Sequence, residues 1–154
     1  MERRFQDEDV ARLRIALARI NRSAERTSAD ADYTRTQLSV LGTLVRLEHA
    51  GVGELAEAEG LNPTMLSRVV GKLEAAGLII READPGDRRA VRVRPTEAGQ
   101  ALHLRLRKRR NDLFSRELGA LDERSAAQLS AALPALETLA ERMLAGSRSY
   151  EAKV

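Results

Sequence analysis

The sequence predicts a mainly α-helical chain that carries one small β-hairpin, and three observations predict it. Apolar residues recur at helical spacing through much of the chain, as at Val10, Leu13, Leu17 and Ile20, whereas apolar–basic alternation stands out at Val91-Arg92-Val93-Arg94. Phe5, Tyr33, Phe114 and Tyr150 are the only aromatics, so a core must be built from Leu, Val, Ile and Ala. Such a core suits helix-on-helix packing better than a sandwich. Finally, the two strand-like runs flank Asp84-Pro85-Gly86-Asp87, a cluster of turn formers.

A chain of 154 residues suits one structural domain with a sizeable core. Cysteine is absent, which excludes disulfides, thiol redox sensing, cysteine nucleophiles and cysteine-ligated zinc. No run is apolar enough to span a bilayer, and Met1-Glu2-Arg3-Arg4-Phe5 does not open a signal peptide, so a cytoplasmic protein without a membrane partner is expected. The net charge of +3 is too small to indicate nucleic acid by itself. Where the charge sits matters more.

Residues 8 to 26 form the first expected helix, with its apolar stripe at 10, 13, 17 and 20 and arginines mostly elsewhere. The stripe suits either packing within the chain or half of a subunit interface. Ser28-Ala29-Asp30-Ala31-Asp32 breaks the pattern. Thr36 is the expected N-cap of a second helix, in which Leu38, Leu41, Leu44, Val45 and Leu47 are apolar and Gly51 provides the stop.

From Val52 the spacing becomes specific. Ala56 supplies the small residue and Gly60 the turn of a helix-turn-helix, locked by Leu55, Leu61, Leu66 and Val69. Glu59 stands where an apolar residue is usual. Asn62 is a favoured N-cap, Pro63 fits the first helical position, and Gly77 allows Leu78 to fold back on Leu73. Leu66, Val69, Val70 and Leu73 make the buried face. Thr64, Ser67, Arg68, Gly71 and Lys72 fall largely opposite. Small polar residues permit close approach to a major groove, and Arg can pair bidentately with guanine.

Leu78-Ile79-Ile80-Arg81 and Val91-Arg92-Val93-Arg94 are the expected hairpin strands. Arg81, Arg88, Arg89, Arg92 and Arg94 stand there against Glu82, Asp84 and Asp87. Asp87 is expected to orient Arg89 toward a narrow minor groove. The candidate double-stranded DNA contacts are therefore Asn62, Pro63, Thr64, Ser67, Arg68, Lys72, Arg88, Arg89 and Arg92.

Thr96 is the expected cap of a long helix with Leu102, Leu106 and Leu113 along one face. Its cluster Arg105, Arg107, Lys108, Arg109 and Arg110 spreads around several faces and suits a solvated or partner-facing surface. Asp122 is the expected cap of a last helix with Leu129, Leu133, Leu136, Leu139 and Met143. Pro134 should kink it, and the tail from Gly146 should fray. His49 and His103 make no convincing metal site, and neither a metal nor another cofactor is expected. No nucleophile has a neighbouring base and no glycine loop suits a phosphate, so an enzyme is not expected.

The run from Thr36 to Gly99 resembles the MarR family of dimeric winged helix-turn-helix regulators. Asp87-Arg88-Arg89-Ala90-Val91-Arg92-Val93-Arg94-Pro95-Thr96-Glu97-Ala98-Gly99 carries the likeness, with Asp87, Arg89 and Thr96 matching the wing signature and Pro95 replacing the usual Leu. The resemblance implies a homodimer on a DNA operator, with repression relieved by a small ligand, often aromatic. It divides the chain into an N-terminal dimerisation helix and linker (1–35), a winged lobe (36–99), and a long helix with a C-terminal dimerisation helix (100–154). Family geometry would place the effector near Tyr33 and Phe114. A winged lobe used only for protein interaction is the alternative reading.

Overall fold

Three acids in the first turn, Asp7, Glu8 and Asp9, complement the positive end of the helix dipole where the first helix begins. That helix opens a computed structural model in which residues 5–27, 30–84, 86 and 91–151 are described. Among them the elements are α1 (Asp7–Thr27), α2 (Arg35–Leu47), β1 (Ala50–Gly51), α3 (Val52–Glu59), α4 (Pro63–Ala75), β2 (Ile79–Ala83), β3 (Val91–Pro95), α5 (Glu97–Gly119) and α6 (Glu123–Glu151). The chain is mainly helical with a small antiparallel sheet, as expected. It divides into two units, Met1–Leu113 and Phe114–Val154. Among the described residues no helix is long and apolar enough to cross a membrane.

In the first unit, α2 is capped by Thr34 rather than Thr36. The Thr34 hydroxyl accepts from the Gln37 N–H at 3.3 Å, and the Gln37 side chain accepts from the Thr34 N–H at 2.8 Å. This reciprocal capping box satisfies two backbone donors together, which Thr36 inside the first turn cannot do. Gly51 is likewise not the stop of α2. Glu48 ends the helix at φ +66°, and Gly51, extended at φ −65°, caps α3, where the Glu54 carboxylate accepts its N–H at 3.3 Å.

The sheet has the order β1-β3-β2. The hairpin of β2 and β3 pairs Ile79 with Pro95, Arg81 with Val93 and Ala83 with Val91. Strand β1 is an addition to the expected hairpin, pairing Ala50 with Val93 and Gly51 with Arg92. Two residues are too few to show a period, so it had no sequence signal. Pro95 stands at the end of β3, where a missing ladder donor matters least, and it is buried.

The core gathers Val40, Leu41 and Leu44 of α2, Leu55 of α3, Leu66, Val70 and Leu73 of α4, Ile79, Val93, and Leu102 and Leu106 of α5. Each fully buried aliphatic side chain contributes about 1.5–3 kcal/mol. Helices α3 and α4 both pack on α2, which fixes their mutual angle through one shared core. Glu59 ends α3 only half-buried, leaving Leu55 to close that side of the core.

In the second unit Asp122 caps α6. Hydrogen bonds from the Ser125 side chain and from the Ser125 N–H, the latter at 2.9 Å, hold its carboxyl below the ordinary range. Helix α6 continues through Pro134 to Glu151, past Gly146, where fraying was expected. Thr138 donates its hydroxyl to the Pro134 carbonyl at 2.9 Å.

Candidate nucleic-acid interface

The turn between α3 and α4 depends on Gly60, which takes the left-handed conformation at φ +61°. The Leu61 N–H then reaches the Ala56 carbonyl at 3.0 Å and the Gly60 N–H the Glu57 carbonyl at 3.2 Å, satisfying carbonyls that the ending helix would orphan. Two residues later Asn62 starts α4, its side-chain oxygen accepting from the Met65 N–H at 2.8 Å, with Pro63 in the first turn. At the far end Gly77, φ +70°, makes the second such stop, and Leu78 donates back to the Leu73 carbonyl at 2.9 Å. Both ends of α4 are therefore held by local chemistry.

Burial of Leu66, Val69, Val70 and Leu73 turns the opposite face outward. Asn62, Pro63, Thr64, Ser67, Arg68 and Lys72 are exposed, and Gly71 is half-buried. Met65, assigned no role from the sequence, also projects from this end of the helix, 44% exposed. Among the described residues neither Arg68 nor Lys72 has an ion-pair partner, in contrast to the hairpin. There Arg81 pairs with Glu74 at 3.2 Å, Arg94 with Glu82 at 2.7 Å and Arg92 with Asp84.

Asp84 is the residue that sequence reasoning missed. One carboxylate oxygen accepts the Gly86 N–H at 2.7 Å and the other meets Arg92 Nε. It thus holds the chain entering the tip and one arginine of the returning strand at once. Its signal was an acid just before Pro85-Gly86, diagonal to an arginine across the hairpin. Arg92 is engaged through Nε. Asp87, Arg88 and Arg89, expected at the tip, lie outside the described residues.

A three-way junction ties these parts together. Thr96 caps α5 by accepting the Gly99 N–H at 3.1 Å, donates its hydroxyl to the Gly77 carbonyl at 2.7 Å, and donates its own N–H to the Leu78 carbonyl at 2.9 Å. The end of α4, the return of the hairpin and the start of α5 meet at one side chain. Gly99 is buried there, and a Cβ on it would stand 2.1 Å from the Leu78 carbonyl oxygen.

The first unit also holds two adjoining cavities. One of about 460 Å³ is lined by Asn21, Glu25, Arg26, Tyr33, Arg35, Leu38, Ser39 and Arg110. The other, about 280 Å³, shares Leu38, Ser39 and Arg110 and adds Gly42, Thr43, Arg46, His103 and Leu106. Tyr33 lines the first of these cavities. Phe114 begins the second unit and is 41% exposed. Arginines outnumber acids in the linings, and Glu25 is paired with Arg35 at 3.0 Å. Among the described residues no group of three or more His, Cys, Asp and Glu could hold a metal.

His103 packs against Gly42, and its pKa falls below the ordinary 6.5, first through burial and then through the Arg110 and Arg107 charges. With the folded value below the unfolded one, this group's contribution to stability is intact above the ordinary value. It is lost as pH falls through that value toward the folded pKa. The urea midpoint is expected to drop as pH falls below the ordinary value of 6.5, and His103→Leu to flatten the drop. An equally steep drop in the variant would assign the response to other groups.

Residues 33–91 match the sequence model of the MarR family. An uncharacterised HTH-type transcriptional regulator of Mycobacterium bovis is 31% identical over 127 residues, spanning 79% of this chain and 89% of that one. A putative transcriptional regulator of Pseudomonas aeruginosa superposes with a TM-score of 0.77 at 33% identity, covering 88% of this chain and 99% of that one. A point mutant of S. aureus MepR, solved bound to an oligodeoxyribonucleotide, shares the fold with a TM-score of 0.67 at 21% identity, over 84% of this chain and 95% of its own.

Proposed function

The chain belongs to the MarR family of transcriptional regulators, and from that membership we propose that it is a homodimeric repressor of a pseudopalindromic DNA operator. The observation that carries the reading is the outer face of α4, where Arg68 and Lys72 are unpaired among the described residues and exposed on a helix fastened at both ends. Thr64, Ser67 and Arg68 read base edges; Asn62, Pro63 and Lys72 hold the backbone. Arg92, held by Asp84, together with Arg88 and Arg89, anchors the wing to neighbouring phosphates and the minor groove, with Asp87 assigned the orienting of Arg89. The S. aureus relative bound to an oligonucleotide supports DNA as the partner.

Dimerisation is supported by unburied apolar stripes. Val10, Leu13, Leu17 and Ile20 of α1 are between 40% and 55% exposed, and Leu129, Leu133, Leu139 and Met143 of α6 between 37% and 65%. Water-exposed stripes of this size suit a second copy of the chain. Two-fold symmetry then sets the half-sites about one helical turn, ~10 base pairs, apart.

The deciding experiment titrates the protein against duplexes selected from a random pool and against unselected duplexes, at two salt concentrations. Tight binding to the selected site by two protomers is expected. Equal binding to both pools would favour a protein-interaction module instead. In the same assay Arg89→Ala should weaken binding and reduce the slope of log affinity against log salt by about 1.8, the value of one phosphate contact from each protomer. An unchanged slope removes Arg89 from the interface.

The effector is a small aromatic carboxylate, which suits the arginines and Tyr33 of the cavities. Such a compound should release the bound duplex while its uncharged amide should not. Equal release by both would remove the cationic lining from the mechanism.

A further inference from the structure

We propose that Met65 reads a thymine methyl group in the operator, and so selects one base of each half-site beside the base that Arg68 reads. The inference rests on the DNA-binding reading above and adds to it a residue and a base. An otherwise polar and cationic helix face here carries one large apolar side chain, 44% exposed, in the first turn. Successive residues of an α-helix turn by about 100°, so residues three and seven further on stand on nearly the same side. For Met65 those are Arg68 and Lys72, neither of which has an ion-pair partner among the described residues. Val69, four further on, stands about 40° from Met65 on the other side. Met65 thus lies on the border between the exposed face and the buried stripe of Leu66, Val69, Val70 and Leu73, and its 44% exposure leaves it accessible beside Arg68 and Lys72.

Its backbone is also fixed before any ligand arrives. The Met65 N–H is the donor that Asn62 caps at 2.8 Å, and Pro63 restricts the turn preceding it. A side chain projecting from that turn meets the base edges when the N-terminal end of the helix enters the major groove. The thymine C5-methyl is the apolar group that base edges present there. A thioether is flexible and polarizable and adapts its end to such a methyl. Cytosine offers an amino donor in the major groove, which a thioether, only a weak acceptor, satisfies poorly.

The test uses the full-length protein and the site enriched from random duplexes, with deoxyuridine replacing each thymine in turn. Deoxyuridine keeps base pairing and removes only the methyl. One position per half-site is expected to weaken wild-type binding about fourfold, the factor that burying one methyl-sized group is worth. Met65→Ala should be insensitive to the methyl at that position and sensitive elsewhere as before, and Met65→Leu should regain the response. Thermal melts of both variants establish that each is folded, which an exposed site permits. A selected site without thymine in its half-sites, or methyl effects that are the same in wild type and Met65→Ala, overturns the assignment while leaving DNA binding intact. A pool that enriches no sequence overturns both readings together.

Discussion

Arg68→Ala is expected to lower affinity for the selected operator about 5- to 150-fold per half-site, equivalent to about 1–3 kcal/mol for one bidentate contact to a guanine edge. Affinity for random duplex should change only by the loss of one cation near phosphate. Three facts make the expectation sharp. Arg68 has no ion-pair partner among the described residues, so no internal bridge needs breaking before it can bind. Its helix is capped by Asn62 and stopped by Gly77, so its direction is set beforehand. Truncation removes no core contact, because the residue is exposed. Parallel measurements on the two kinds of duplex check it. Equal losses on both would make Arg68 a phosphate contact and transfer base reading to its neighbours.

Gly99→Ala is the substitution expected to damage the fold most for its size. The added Cβ would stand 2.1 Å from the Leu78 carbonyl oxygen and 3.2 Å from a Leu41 methyl. The oxygen belongs to backbone and accepts the Thr96 N–H, so it cannot swing aside as a flexible side chain would. Relief requires α5 to move away from the end of α4, stretching the Thr96 hydrogen bonds to Gly77 and Leu78. Overpacking of this kind costs about 1–3 kcal/mol and sometimes more. A chain of this length should then melt roughly 2–10 °C lower. DNA binding should fall more than the folded fraction does, because the same junction sets the hairpin against α4. An unchanged melting temperature would mean that the junction can open at no cost.

These two predictions differ in where their grounds were visible. The helix-turn-helix was legible because its signals are local: Gly60 and Gly77 at positive φ, Asn62 and Pro63 at a helix start, and an apolar stripe three to four residues apart. The exposed face of α4 follows from that stripe by elimination. Local signals also misled where two candidates competed. Thr36 and Thr34 are both good caps, and the choice went to Thr34 because Gln37 stands three residues later to complete the box. Gly51 has a glycine's freedom, yet it is extended, and Glu48 took the positive φ instead.

In the hairpin, the sequence showed which charges were present but not which would meet. Pairing register placed Glu82 diagonal to Arg94 and Asp84 diagonal to Arg92, so two arginines of the returning strand are held by acids from the other side of the hairpin. Met65 was passed over for a related reason. An apolar residue within a helix counts toward the core until the position of the other helices shows that it points outward.

From residues alone came the class of the chain, the helix α4 capped by Asn62 with its polar outer face, and the absence of cysteine. Each of these depends on neighbours within about one or two helical turns, a distance over which backbone geometry is nearly determined by residue type. Tertiary structure alone decided the third strand, the ion pairs of the wing, the cavities around Arg110, and the contact that forbids a side chain at Gly99. Those depend on segments distant in the chain, Ala50 with Val93 or Leu78 with Gly99, whose meeting is set by packing of the whole core.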